Sequence, residues 1–180
     1  MIDFGREICS NPQIATSREW LVTNGIGGYG SGTVSGVLTR RYHGLLVAAL
    51  KPPLGRTLLL TKFDEIATYD GQPYALYANQ WTSDRVDAPG LAHLERFHLE
   101  GTTPMWTYAC ADALLEKRVW MEQSANTTYI TYTLHRGTAP IVLTLKALVN
   151  YRDHHANTRA PNWQTKIEPV DHGLAITAFD

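Results

Sequence analysis

The chain has 180 residues, with sixteen Lys+Arg against seventeen Asp+Glu, a formal charge of −1, and 44% apolar but only 18% charged residues. That balance excludes a disordered tail and a nucleic-acid binder, whose phosphate contacts need a basic excess. The longest apolar run, about six residues from Leu45 to Leu50, falls far short of the ~20 that a membrane helix needs.

The chain reads as one domain over residues 1–180. The opening MIDFGREICSNPQ has no basic start followed by an apolar run, so no secretory leader is visible and a cytoplasmic setting is expected. Thr16-Ser17-Arg18-Glu19 has the form of a capping box, but the run after it is too short for more than a turn. Glu19–Thr23, Leu45–Leu50 and, after the Pro52-Pro53 break, Thr57–Phe63 read as buried strands. Asp70-Gly71-Gln72-Pro73 predicts a turn joining Glu65–Tyr69 to Tyr74–Tyr77 in a hairpin, and Asn79–Gly90 a long surface loop. From Pro104 onward a meander is expected: Met105–Ala109, Leu114–Glu122, Thr127–His135 and Ile141–Asn150, with short turns between. Leu174–Phe179 reads as a last strand. Because an apolar strand stands at the very end, the chain is expected to be a piece of a longer protein. The fold class expected from this pattern is all-β, an antiparallel β-sandwich.

Cys9 and Cys110 form no CxxC pair, and the expectation is two buried thiols, with a disulfide left open. The seven histidines include no HExxH, so neither a metal nor a cofactor is expected. Gly25-Ile26-Gly27-Gly28-Tyr29-Gly30 satisfies GxGxxG, yet Ser31–Gly36 is poor helix material and no carboxylate follows until Asp64. Two alternatives remain: a tight bend between sheets, or a loop that lets the backbone approach a ligand. Thr39-Arg40-Arg41-Tyr42-His43-Gly44 is the densest polar-aromatic cluster. It suits hydroxyls and carboxylates, or else its arginines form ion pairs with Asp64 or Glu65.

The run from Arg18 to Leu50, REWLVTNGIGGYGSGTVSGVLTRRYHGLLVAAL, closely resembles the N-terminal domain of bacterial and archaeal glycogen debranching enzymes, an amylo-α-1,6-glucosidase group. The likeness continues through Pro52-Pro53, Asp64-Glu65, Trp106, Glu116-Lys117-Arg118 and Asn126-Thr127 to the NYRDHH element, Asn150–His155.

The resemblance implies a super-β-sandwich ahead of a C-terminal helical toroid that carries the hydrolytic carboxylates. No catalytic residue is then expected within this chain, because glycoside hydrolysis needs two carboxyls flanking one bond and adjacent strand residues such as Asp64 and Glu65 face opposite ways. The expected function is an accessory domain that frames or binds α-glucan (glycogen or a branched dextrin) and docks on the missing catalytic domain. Trp20, Tyr29, Tyr42, Trp81 and Trp106 are the candidate sugar platforms, with Asn24, Arg40, Arg41 and His43 as hydrogen-bond partners. Arg152, Asp153 and His154 are candidates for locking the domain to its neighbour. The competing expectations are a purely structural docking module and an independent carbohydrate-binding module.

Overall fold

The computed structural model describes residues 2–81, 85–158 and 163–178. In chain order its elements are β1 (Asp3–Phe4), α1 (Arg6–Cys9), α2 (Pro12–Ser17), β2 (Glu19–Thr23), β3 (Tyr29–Thr33), β4 (Gly44–Lys51), β5 (Leu54–Tyr69), β6 (Gln72–Ala75), β7 (Asn79–Gln80) and β8 (Val86–Asp87). A 3-10 turn over Pro89–Ala92 leads to β9 (Leu94–Glu100), β10 (Thr103–Cys110), β11 (Ala113–Met121), β12 (Thr128–Arg136), β13 (Ile141–Asp153), β14 (Lys166–Val170) and β15 (Gly173–Thr177).

The strands build two facing antiparallel sheets, as the sequence pattern predicts. One runs β1-β9-β10-β11-β12 and the other β13-β5-β4-β3-β2, with β6 added to β5 along Ile66–Tyr69. The meander expected after Pro104 divides between them. Its first three strands form adjacent rungs of the first sheet, but β13 crosses to the second and pairs with β5. Tyr69 holds that crossing in place. Its hydroxyl accepts from the backbone N–H of Thr138 (2.8 Å) and Ala139 (3.3 Å) and donates to Asp112 (2.9 Å).

Several boundaries differ from expectation for local reasons. Thr57–Phe63 and Glu65–Tyr69 are one continuous strand, β5, because Asp64 does not interrupt a period-2 pattern that has a partner on each edge. The hairpin turn is only Asp70-Gly71, both at positive φ (48° and 70°), the form that matches strand twist. The N-terminal helices were not anticipated, although Asn11 accepts from the N–H groups of Gln13 and Ile14 (both 3.1 Å) and Pro12 occupies the first turn. Thr16 and Ser17 therefore close a helix rather than open one. The last strand ends at Thr177 and pairs with β14; Phe179 lies outside the described residues.

The core lies between the sheets. Trp20 from β2 meets Trp106 from β10 edge-on (5.4 Å, 86°), and Phe97 packs against Trp106 at 5.2 Å. Both indoles donate, Trp20 Nε1 to the Thr33 carbonyl (3.2 Å) and Trp106 Nε1 to that of Val34 (3.0 Å). A Cβ on Gly32 would stand 3.2 Å from the Trp20 ring, so Gly32 makes room for the indole, while a Cβ on Gly30 would stand 2.9 Å from the Leu45 carbonyl oxygen. Cys9 and Cys110 are free and buried, and burial pushes both thiols up to about 11.

Beside the indoles runs a buried polar bridge. The Lys117 ammonium lies over the Trp106 ring (5.5 Å) and pairs with Glu65, whose Oε1 also accepts from the Tyr132 hydroxyl (2.9 Å). Trp106→Ala opens a cavity at this junction and is expected to lower unfolding free energy by about 3–5 kcal/mol. Denaturant unfolding followed by far-UV circular dichroism measures it.

Candidate functional site

Two segments far apart in sequence meet over the outer face of the second sheet. The first is the loop after β3. Trp20 faces inward opposite Gly32, so Tyr29 and Ser31 face outward. The hydroxyls of these two residues donate to the Tyr42 carbonyl at 3.0 and 3.3 Å and lay the loop across the sheet. Burial pushes the Tyr29 phenol above its ordinary pKa, which keeps it a donor.

His43 is only 3% exposed. Its Nδ1 accepts from the Thr39 N–H (3.2 Å), so in the neutral ring Nε2 carries the proton, aimed at Glu19 Oε1 3.5 Å away. Arg40 Nε holds the same oxygen at 2.8 Å. Burial lowers the His43 pKa and outweighs the opposing pull of Glu19; the positive Arg40 lowers it further.

The second segment is the turn after β13. Asn150 Nδ2 donates to Thr158 (2.8 Å), His154 N–H to the Arg56 carbonyl (3.0 Å) and His155 N–H to Asp153 (2.8 Å). Arg152 donates to the carbonyls of Asp153 and His154 (3.2 Å each), Ala156 (3.0 Å) and, across the gap, Arg41. Arg41 returns a bond to the His155 carbonyl (2.9 Å). The Tyr42 ring lies 5.7 Å from both His154 and His155, its hydroxyl 3.2 Å from His155 Nδ1, and it remains 40% exposed.

Between these walls runs an open polar groove floored by Leu58 and Thr61 and lined by Thr39, Arg40, Arg41, His43, Asn150, Arg152, Asn157 and Thr158. Arg40 is shared with an adjoining groove bounded by Gln13, Glu19, Gln80 and Val86. Trp81, next after Gln80, is 60% exposed. Guanidinium and amide donors around exposed rings suit a polyhydroxylated ligand.

The structure thus brings Arg40, Arg41, Tyr42 and His43 together with Arg152, Asp153 and His154, with Tyr29 beneath them. It does not bring in Trp20, Trp106 or Asn24. The two indoles are core residues, 8% and 4% exposed, with their faces covered by each other and by the opposite sheet. Asn24 is fully buried. Its Oδ1 accepts from the Ile26 and Gly28 N–H groups (3.1 and 2.9 Å), and its Nδ2 donates to the Ala125 carbonyl (2.9 Å) and Asn126 (3.2 Å). That clamp shapes the glycine-rich segment into the turn between β2 and β3, which are paired neighbours, so the bend lies within one sheet rather than between sheets. A Cβ on Gly28 would sit 2.4 Å from Asn24 Nδ2, and strand β3 follows where a nucleotide fold needs a helix.

Nor do the arginines pair with Asp64 or Glu65. Asp64 is held by Lys62 (3.0 Å) and Glu65 by Lys117, while Arg40 takes Glu19. Arg152 spends Nη1 and Nη2 on backbone carbonyls of its own chain. Sequence reasoning did not single out Glu19, His155, Asn157 or Thr158. His155 alone carried a signal, as the neighbour of His154. Among the described residues no group of three or more His, Cys, Asp or Glu is placed to hold a metal ion, and no helix is long and apolar enough to cross a membrane.

His43 and His154 both have pKa values lowered by burial from the ordinary 6.5. Below that value the unfolded chain takes up protons that the folded chain refuses, so stability is present above it and falls on acidification. Urea midpoints are expected to drop between about pH 7.5 and pH 5.5, and to drop less in His43→Gln.

A family model described as glycogen debranching enzyme N terminal matches residues 18–180. Among curated proteins and solved structures nothing matches the chain significantly.

Proposed function

Because the chain belongs to the family of glycogen debranching enzyme N-terminal domains, we propose that it serves such an enzyme as an accessory β-sandwich that frames α-glucan beside a catalytic domain of the same protein. The observation that carries this reading is the convergence of Arg40, Arg41 and His43 with Asn150, Arg152, Asn157 and Thr158 on one polar groove, next to which the half-exposed Tyr42 ring packs on His154 and His155. Sugar rings offer hydroxyl rims to such donors and C–H faces to such a ring.

The hydrolytic acids belong to the catalytic partner in this reading. A glycosidase general acid needs a raised pKa. The carboxyls whose pKa shifts are resolved move the other way: Asp3 is held down by Arg96, Asp112 by the Tyr69 hydroxyl, and Glu116 by Arg118 and His135, which outweigh its burial. Glu65 and Asp64 are locked to lysines.

A docking role is supported by a different surface. Val142 and Leu145 on β13, with Ile167, Val170 and Leu174 on the β14–β15 hairpin, are 42–64% exposed. Exposed apolar side chains of this kind suit contact with another domain.

In the full-length enzyme, Arg41→Ala and Tyr42→Ala are expected to lower kcat/KM on a branched dextrin roughly tenfold, mainly through KM. Steady-state kinetics with a thermal-unfolding control measures this. Unchanged constants in folded variants would remove the groove from substrate binding.

A further inference from the structure

The polar groove carries an unbalanced charge. Three guanidiniums, those of Arg40, Arg41 and Arg152, line it with Thr39, His43 and Asn157, and among the described residues no Asp or Glu shares the lining. The chain as a whole has a formal charge of −1, so this concentration of positive charge is local.

Only one of the three guanidiniums is neutralised. Arg40 Nε holds Glu19 at 2.8 Å, and that carboxylate lines the adjoining groove instead. Arg152 is held by the carbonyls of Arg41, Asp153, His154 and Ala156, and Arg41 by the carbonyl of His155. A carbonyl orients a guanidinium without cancelling its charge. Asp153, the acid nearest in sequence, is 60% exposed and accepts from the His155 N–H at 2.8 Å. Arg41 gives only Nη1 to a carbonyl, which leaves Nε and Nη2 for a ligand. Burial lowers the Arg152 pKa and the Arg41 charge acts in the same direction; an anion shared by the two relieves that repulsion.

The outer face of the first sheet is arranged the other way. Beside the stacked Trp120 and Tyr129 rings, Arg118 bonds Glu116 (2.6 Å) and Glu100 (3.0 Å), and His135 Nε2 lies 3.2 Å from Glu116. Cations there are matched by acids, whereas two of the groove's are not. A neutral sugar needs acceptors for its hydroxyl protons as well as donors for its oxygens, and guanidiniums supply donors alone. Their forked N–H groups fit the oxygens of a phosphate. The space, about 360 Å³, leaves room for a sugar ring besides.

We infer that the groove takes a hexose phosphate monoester, with the phosphate on Arg41 and Arg152 and the sugar hydroxyls on Thr39 and Asn157. The hexose rests on the proposed function; the phosphate rests on the charges of the groove alone.

Isothermal titration calorimetry of the 180-residue chain with glucose 6-phosphate, inorganic phosphate and glucose tests it. Glucose 6-phosphate is expected to bind about tenfold or more tighter than either of the others, and to weaken as salt rises. Arg41→Gln should weaken it about tenfold. Asn157→Asp, an exposed change of nearly constant size, sets a carboxylate in the groove and should weaken it at least as much. Arg96→Gln, on the other sheet, should bind as wild type, and thermal melts identify any variant that has lost its fold. A 6-phosphorylated maltooligosaccharide separates the two sources of such an ester: tighter binding than glucose 6-phosphate assigns it to a glucan chain, equal binding to a free hexose phosphate, and either supports the inference. The inference is overturned if glucose 6-phosphate does not bind, if glucose or inorganic phosphate binds as tightly, or if folded Asn157→Asp binds as wild type. The glucan reading is judged separately, by kinetics of the full-length enzyme on an uncharged dextrin, so each can fail without the other.

Discussion

Two indole N–H groups on consecutive carbonyls anchor the root of the site. Trp20 reaches Thr33 from within its own sheet, and Trp106 reaches Val34 from the opposite one. The rings themselves meet edge-on, the geometry favoured by their quadrupoles. Everything from Val34 to His43 departs from that clamp, so the position of the groove's first wall follows from how the two sheets pack. Gly32 is part of the same constraint, because a Cβ there would crowd the Trp20 ring.

The other end of the sandwich uses amides where this end uses indoles. Asn24 closes the glycine-rich turn and ties it to the 125–126 loop, and Asn126 exchanges two hydrogen bonds with the backbone of Ala49, both at 2.9 Å. Buried polar side chains of this kind stabilise only when every donor and acceptor is matched, and these are. Between the two ends, Glu65, Lys117 and Tyr132 cross the interior as a satisfied ionic bridge. The groove therefore sits on a scaffold held at both ends and in the middle. One wall is fixed by backbone acceptors, as Arg152 shows with its four carbonyls, and the other by the Arg40–Glu19 ion pair.

The outer faces of the sheets carry different chemistry from one another. The second sheet presents guanidiniums, imidazoles and amides in a groove, whereas the first presents a stacked aromatic pair amid neutralised charges.

The sandwich was legible because alternation is local. Strands such as Leu114–Glu122 and Thr127–His135 declare themselves by period 2, and Asp-Gly by its preference for positive φ. The TRRYHG segment was likewise visible as a dense polar-aromatic cluster, and the NYRDxH element through the family resemblance. What stayed hidden was non-local. Nothing along the chain shows that Gly30 and Gly32 are strand, since the reasons are the Leu45 backbone beside Gly30 and the Trp20 indole beside Gly32. Nor does spacing show that Arg40 chooses Glu19 over Asp64, that β13 changes sheets, or that Trp20 and Trp106 face each other rather than a ligand. Composition and periodicity by themselves determined an all-β chain with one dense polar-aromatic cluster on it, and the family resemblance added the second segment. Only the tertiary structure decided that the two share one groove and that the tryptophans belong to the core, because side-chain direction depends on which sheet, and which face of it, each strand joins.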